Sequence, residues 1–394
     1  MNTIDRRQFL SAAAAAPIIG ALRSASAHTL EKKFRACIIG DTDRGGYGHS
    51  LHYLWSMRDD VEVVGLSDPH AKARRYYQKE SGAQRAYMNH TEMLETEKPD
   101  LVVIGPRWTT NHRDYLLACA GVGAHGIIEK PFASDLAEAD EIVAALEAKN
   151  LKWASALNFR ASPMIRKTKK LIFEEGIIGQ VLEIRGRGKE DARAGGEDLI
   201  VLGTHILDMM GYFLGMPEWC DASVTVDGRP VEKSDVHEAS EPLGPIVGTE
   251  VNAHYQFDKG IPGYFSSMKN PDGNQNRWGM EIYGTKGVVS IRMEPVPDVW
   301  LHNNPSWVPG EAAIAWEKIP APDTGPSRHE KVGHYAPIVD DLIDSIENDH
   351  EPFTSVQGNR DAMSMIQAVF EAAVTRERVR FPLQERIHPL RRWT

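Results

Sequence analysis

The chain has 394 residues, of which 42% are hydrophobic and 25% charged, with 33 glycines and a net charge of −10. That length and composition suffice for two domains with real cores, and the acidity excludes a protein that works by neutralising nucleic-acid phosphates. The longest apolar run is punctuated by Pro17 and Gly20, so no segment reads as a stable membrane span, and Cys37, Cys119 and Cys220 are too few and too scattered for a disulfide framework or a metal site.

The chain opens with Asp5-Arg6-Arg7-Gln8-Phe9-Leu10, an alanine-rich apolar stretch and then Ala25-Ser26-Ala27. This pattern predicts a twin-arginine signal over residues 1–27, read by the twin-arginine export machinery and removed from a periplasmic protein. The signal carries Arg6, Arg7 and Arg23 against Asp5, so the chain without it stands at −12. Sparse cysteines suit a protein that folds before transport.

From residue 34 the pattern is that of a parallel, doubly wound α/β sheet. Residues 34–39 read as a strand, 49–57 as a helix and 61–66 as a second strand. In the turn between them, Gly40 and Gly45 take the first and third positions of G-x-G-x-x-G, and Thr42 stands at the middle one. A glycine there lets the backbone approach a pyrophosphate, so the Cβ of Thr42 should push the phosphates outward or offer them a hydroxyl. Asp68 ends the second strand, where a carboxylate accepts both hydroxyls of an adenosine ribose and favours NAD. Its structural alternative is a helix cap, and Arg44 keeps a 2′-phosphate, and so NADP, open.

Residues 100–105 form a buried strand, 106–108 a turn, 111–121 a helix and 124–129 another strand. The last runs through Ile127 and Ile128 into Glu129-Lys130 and is stopped by Pro131. Strand carboxyl ends face the ligand crevice of such a sheet, which makes Lys130 the first candidate for chemistry. The competing reading is an ordinary solvated ion pair. A helix over 134–149, capped by Ser134, and a short sixth strand near 152–156 complete this half.

Gly40-x-x-x-x-Gly45, Asp68-Pro69, the turn from Pro106 to His112, Glu129-Lys130-Pro131, Asn158-Phe159-Arg160 and Gly176-Ile177-Ile178-Gly179 together resemble the glucose-fructose oxidoreductase, inositol dehydrogenase and MocA family. The resemblance covers nearly the whole chain after residue 27. It implies a Rossmann domain over 34–156 and an α+β substrate-binding and oligomerisation domain over 157–394 with a large open, mainly antiparallel sheet. It further implies a homo-oligomer that oxidises a secondary hydroxyl of a sugar, polyol or glycoside with NAD(P). On that reading Gly40, Thr42, Arg44, Gly45, Asp68, Pro106, His112, Glu129 and Lys130 hold the cofactor, and Asn158, Arg160, Asp198 and His205 hold the carbohydrate.

In the second half, a helix over 164–175 and a strand over 181–188 lead to a stretch from Gly195 to Asp208 that should be a helix. Leu199, Leu202, Ile206, Met209 and Phe213 form its buried stripe. Asp198, Val201, His205 and Asp208 form a second stripe that faces the crevice. The family often has an aspartate four residues before this histidine, where this chain has Val201. Asp198, seven residues away, lies about 10 Å along the axis, whereas Asp208 shares the face at three residues. The expectation is that Lys130 and His205 carry proton transfer and Asp208 orients the imidazole. Strands then follow over 251–257, 264–268, 280–283 and 288–291, the loop 270–278 reads as a surface loop within reach of the crevice, and helices over 335–348 and 359–375 read as packing.

Oxidation of a secondary alcohol sends hydride to the nicotinamide and a proton to a base, which a lysine becomes when burial depresses its pKa. Free NAD is scarce outside the cytoplasm, so an exported enzyme of this kind would carry its cofactor tightly bound. Two alternatives stand beside the oxidoreductase. One is a redox-neutral glycoside hydrolase or lyase that oxidises transiently. The other is a sugar-binding protein with a vestigial site, for which Val201 and Thr42 argue.

Overall fold

Strands that are apolar on both faces need cover on both sides, and a parallel sheet between helices supplies it. The computed structural model describes residues 34–269, 277–294, 296–306 and 315–393. The signal proposed over 1–27, and all of the loop 270–278 except Arg277 and Trp278, lie outside them. Strands β1 (Phe34–Ile39), β2 (Val61–Ser67), β3 (Arg85–Tyr87), β4 (Leu101–Ile104), β5 (His125–Ile128) and β6 (Trp153–Ser155) pair in parallel in the order β3-β2-β1-β4-β5-β6. The order reverses between β1 and β4, and the crevice of such a sheet opens at the carboxyl ends there.

The expected elements are present with shifted ends. The helix after β1 is a short 3-10 segment, Leu51–Met57. The helix Leu136–Glu147 begins after Asp135, not Ser134, because the Asp135 carboxylate accepts from Glu138 N at 3.0 Å. Cys37, Cys119 and Cys220 are buried and free; burial pushes the Cys37 thiol up to about 12, so these are core residues, not nucleophiles.

The second sheet runs, from one edge, through Glu317–Lys318, Asp298–His302, Val288–Arg292, Gly279–Gly284, β7 (Val181–Arg187), Pro262–Met268, Glu250–Gln256, β8 (Trp219–Val226) and Val379–Arg380. Every pair is antiparallel except β7 with Pro262–Met268. The helix expected here is two helices, Gly196–Val201 and Gly203–Leu214, parted at Leu202. Close packing marks the break, since a Cβ on Gly203 would come within 2.9 Å of the Phe265 ring. The 20-residue helix Val356–Thr375 ties the second half to the first: Asn359 Nδ2 donates to Ser155 Oγ at 2.6 Å, and Ser155 N donates to Thr354 O at 2.7 Å.

Candidate active site

Three strand ends of the parallel sheet meet a cavity of about 710 Å³ whose wall includes His49, Arg107, Lys130, Asn158, Val201 and His205. β5 delivers Glu129 and Lys130 as anticipated, but to different sides. Glu129 is fully buried. Its Oε1 accepts from His49 N at 3.2 Å and sits against His49 Nδ1, and its Oε2 accepts from Lys130 N at 2.8 Å. Burial pushes this carboxyl up, but the His49 charge and hydrogen bond and the Lys130 ammonium outweigh it and hold it at about 2. Glu129 is therefore a bracket for His49 and the strand end, with no exposed surface for a cofactor contact.

Lys130 reaches the cavity and donates from Nζ to the Val201 carbonyl at 2.7 Å. The position where the family often has an aspartate thus still receives the amine, through main chain. Burial lowers the Lys130 pKa; Glu129 and Glu241 oppose this, and the Arg193 and Arg107 charges add to it. His205 lies across the same cavity, its Nδ1 buried without a hydrogen-bond partner among the described residues. Burial first, then the Lys130 and His49 charges, hold it well below the ordinary imidazole range, so it is neutral. Its ring meets the edges of Phe159 and Trp278, with centroids 4.8 and 6.4 Å away.

Asp208 does not orient His205. Its carboxylate is 2% exposed and pairs with Arg160, whose Nε donates to Oδ2 at 3.1 Å and whose Nη2 lies 2.6 Å from Oδ1 and donates to the Asp208 carbonyl at 3.0 Å. Neither Asp208 nor Arg160 lines the cavity wall. Asp198 is also removed from it: its Oδ2 accepts from Ser267 Oγ at 2.6 Å and Glu190 N at 3.0 Å, which fastens the loop after β7. Of the four expected carbohydrate contacts, Asn158 and His205 border the cavity.

At the glycine turn Gly40, Gly45 and Gly48 are all closely packed by the protein itself. A Cβ on Gly45 would meet Arg107 N at 2.6 Å, and one on Gly48 would meet Glu129 at 2.6 Å, both at positive φ. Gly40 instead carries the Tyr47 ring, which a Cβ would strike at 2.2 Å. Asp68 is fully buried: Oδ2 accepts from Thr42 Oγ1 at 2.7 Å and Tyr47 Oη at 2.9 Å, and Oδ1 accepts from His70 N at 2.8 Å. The helix cap is His70, not Asp68. Thr42 thus gives its hydroxyl to Asp68. Arg44 donates to Asn111 Oδ1 at 2.8 Å. His112 is fully buried, with its ring nitrogens 3.0 Å from the Pro131 carbonyl and 2.7 Å from that of Pro106; it staples the ends of β4 and β5 together beneath the crevice.

The sheet order, the positive-φ glycine turn after β1 and Lys130 at a strand end fit a dinucleotide. At the adenosine end, Asp68 closes the carboxyl end of β2 beneath the glycine turn, with its oxygens taken by Thr42, Tyr47 and His70 N. Sequence reading missed His49, Arg107, Lys189, Arg193, Glu241 and His334 on the cavity wall. Of these, Arg107 lies within the Pro106-to-His112 turn and His49 directly follows Gly48; the others stand beside no recognised motif.

Residues 34–156 match the model for an oxidoreductase family with an NAD-binding Rossmann fold, and residues 165–290 match the GFO/IDH/MocA C-terminal domain. D-apiose dehydrogenase of Paraburkholderia graminis is 25% identical over 361 residues, covering 88% of this chain and 89% of that protein. Levoglucosan dehydrogenase of Pseudarthrobacter phenanthrenivorans is 29% identical over 223 residues, or 50% of this chain and 57% of that one. Myo-inositol 2-dehydrogenase of Thermotoga maritima is 26% identical over 250 residues, 59% of this chain and 68% of that one. Among solved structures, levoglucosan dehydrogenase in complex with NADH and levoglucosan superposes with a TM-score of 0.70 at 22% identity, over 89% of this chain and all of that one.

Proposed function

The chain belongs to the Gfo/Idh/MocA family of NAD-dependent sugar and polyol oxidoreductases, and from that premise we propose that Lys130 and His205 move the protons of its reaction. The observation that carries this is their convergence on one cavity at the carboxyl end of β5. NAD, when bound, supplies the hydride acceptor. The substrate's secondary carbinol loses its C–H as hydride and its O–H proton to the neutral Lys130 amine, leaving a ketone, and the proton passes to solvent. His205, neutral, donates to or accepts from the same hydroxyl and fixes its direction. Phe159 and Trp278 exclude water from the imidazole. The glycine turn after β1 lies against the phosphates, and Asn158 contacts the carbohydrate.

Asp68 takes the adenosine ribose. Its replacement by Ala is expected to weaken NAD affinity about tenfold or more, measured by titrating nicotinamide fluorescence in the reduced form; undiminished affinity would remove Asp68 from that role. The reaction itself is tested by supplying NAD and a panel of sugars and polyols and following reduced nicotinamide. The alternatives are not favoured: Val201, offered for a vestigial binder, still receives Lys130 through its carbonyl, and Thr42 bonds Asp68. Export through the twin-arginine route to the periplasm, with a tightly held cofactor, rests on Arg6-Arg7 and the cleavage pattern. Mass spectrometry of the mature N-terminus and of nucleotide released on denaturation tests it, and a retained residue 1 or an empty protein speaks against it.

A further inference from the structure

The cavity wall near Lys130 is richer in positive than in negative charge. Lys189 and Arg193 come from the loop after β7, the one Asp198 fastens, and Arg107 comes from the turn after β4. Arg193 donates from Nε to Asp191 at 2.9 Å and pairs with it through Nη2 as well, while its Nη1 lies 3.8 Å from Glu241. Arg107 Nε is 3.7 Å from Glu241, and Lys189 Nζ is 3.9 Å from Asp191. These last three separations exceed hydrogen-bond length. Three cations, Arg107, Lys189 and Arg193, share the carboxylates of Asp191 and Glu241. Elsewhere on the wall Arg292 is held by Glu281 and Asp298 by Lys318 at 2.7 Å, and Glu294 is exposed.

One atom makes the imbalance specific. Arg107 Nε is buried with no hydrogen-bond partner among the described residues. A buried donor left unpaired is costly, and a hydroxyl-bearing neutral ring has no need of several guanidinium groups. A carboxylate has: it matches the planar fork of arginine and takes charge-assisted bonds from it.

We infer that the substrate is an acidic sugar, a uronate or aldonate, whose carboxylate is received by Arg107, Arg193 and Lys189 while its secondary carbinol meets Lys130 and His205. The inference rests on the dehydrogenase reading above and narrows it. It is tested by calorimetric titration of the NADH-loaded protein with matched pairs: D-glucuronate against D-glucose, D-galacturonate against D-galactose, and D-gluconate against D-sorbitol. The acid of at least one pair should bind about tenfold tighter or more, the difference should shrink as salt is raised, and it should fall towards unity in Arg193→Gln and Arg107→Gln proteins whose circular dichroism is unchanged. Equal binding within every pair, no binding by any acid, or a preference that survives both substitutions would overturn it, as would D-glucose 6-phosphate binding tighter than every carboxylate. A protein that takes up no NADH fails the dehydrogenase reading itself, whereas one that takes it up and shows no acid preference fails only this inference.

Discussion

Replacing Lys130 by Met is expected to lower kcat by about 10²–10⁴-fold, the range of a lost general acid–base group, with NAD affinity and fold retained. Methionine keeps the apolar stem in its buried channel. What it loses is the donor to the Val201 carbonyl, 2.7 Å away, which leaves that oxygen unpaired at a cost of about 1–3 kcal/mol; the melting temperature measured beside kcat separates that cost from chemistry. The pH profile adds a second reading. The base acts as a neutral amine, so the rate rises with pH through the Lys130 pKa. Burial, then the Arg193 and Arg107 charges, lower that pKa against the opposing carboxylates, so the plateau is reached at lower pH than an exposed lysine would allow. Arg193→Gln removes one of these charges and should move the rise towards higher pH. Turnover in Lys130→Met equal to wild type would end the assignment.

Asp208→Ala is the stability counterpart. Removing one partner of a buried ion pair costs about 3–5 kcal/mol because the other charge stays behind. The lower end applies here, since Arg160 keeps 16% of its side-chain surface in solvent and one bond to the Asp208 carbonyl. A fall in melting temperature of about 5 °C, partly restored by removing Arg160 as well, is the expected result. The pH dependence of kcat should not move, because His205 makes no bond to Asp208. A shifted profile with an unchanged melting temperature would instead make Asp208 the imidazole's orienting group.

The contrast between these two residues shows what the sequence discloses. Lys130 was legible because an apolar strand running into a charge and a proline fixes both place and direction. Asp208 was misassigned because helical spacing was carried across Leu202, where the chain breaks so that Gly203 can pack on Phe265. Periodicity is local, and it does not register a break imposed by a distant strand. The parallel sheet could be read from runs such as Leu101–Ile104, buried at every position. By contrast, the parallel pairing of β7 with Pro262–Met268 joins segments far apart in sequence and leaves no local mark. Arg107, Arg193 and Glu241 come from three separate loops, and nothing in their neighbours' sequence announces that they meet. The glycine turn was legible from its composition, but that Gly48 abuts Glu129 and Gly40 shelters Tyr47 was not, because those partners come from elsewhere in the fold.

That contact between Gly48 and Glu129 joins two parts usually scored apart. The glycine turn rests on the carboxylate that precedes Lys130 in the chain, and His49 is clamped to the same oxygen. On the proposed roles, cofactor grip and proton transfer share one support, and a change on either side is expected to be felt by the other. In a library of variants at residues 45–49, losses in NAD affinity and in kcat should fall along a common line, while changes at Arg107 or Arg193 scatter away from it.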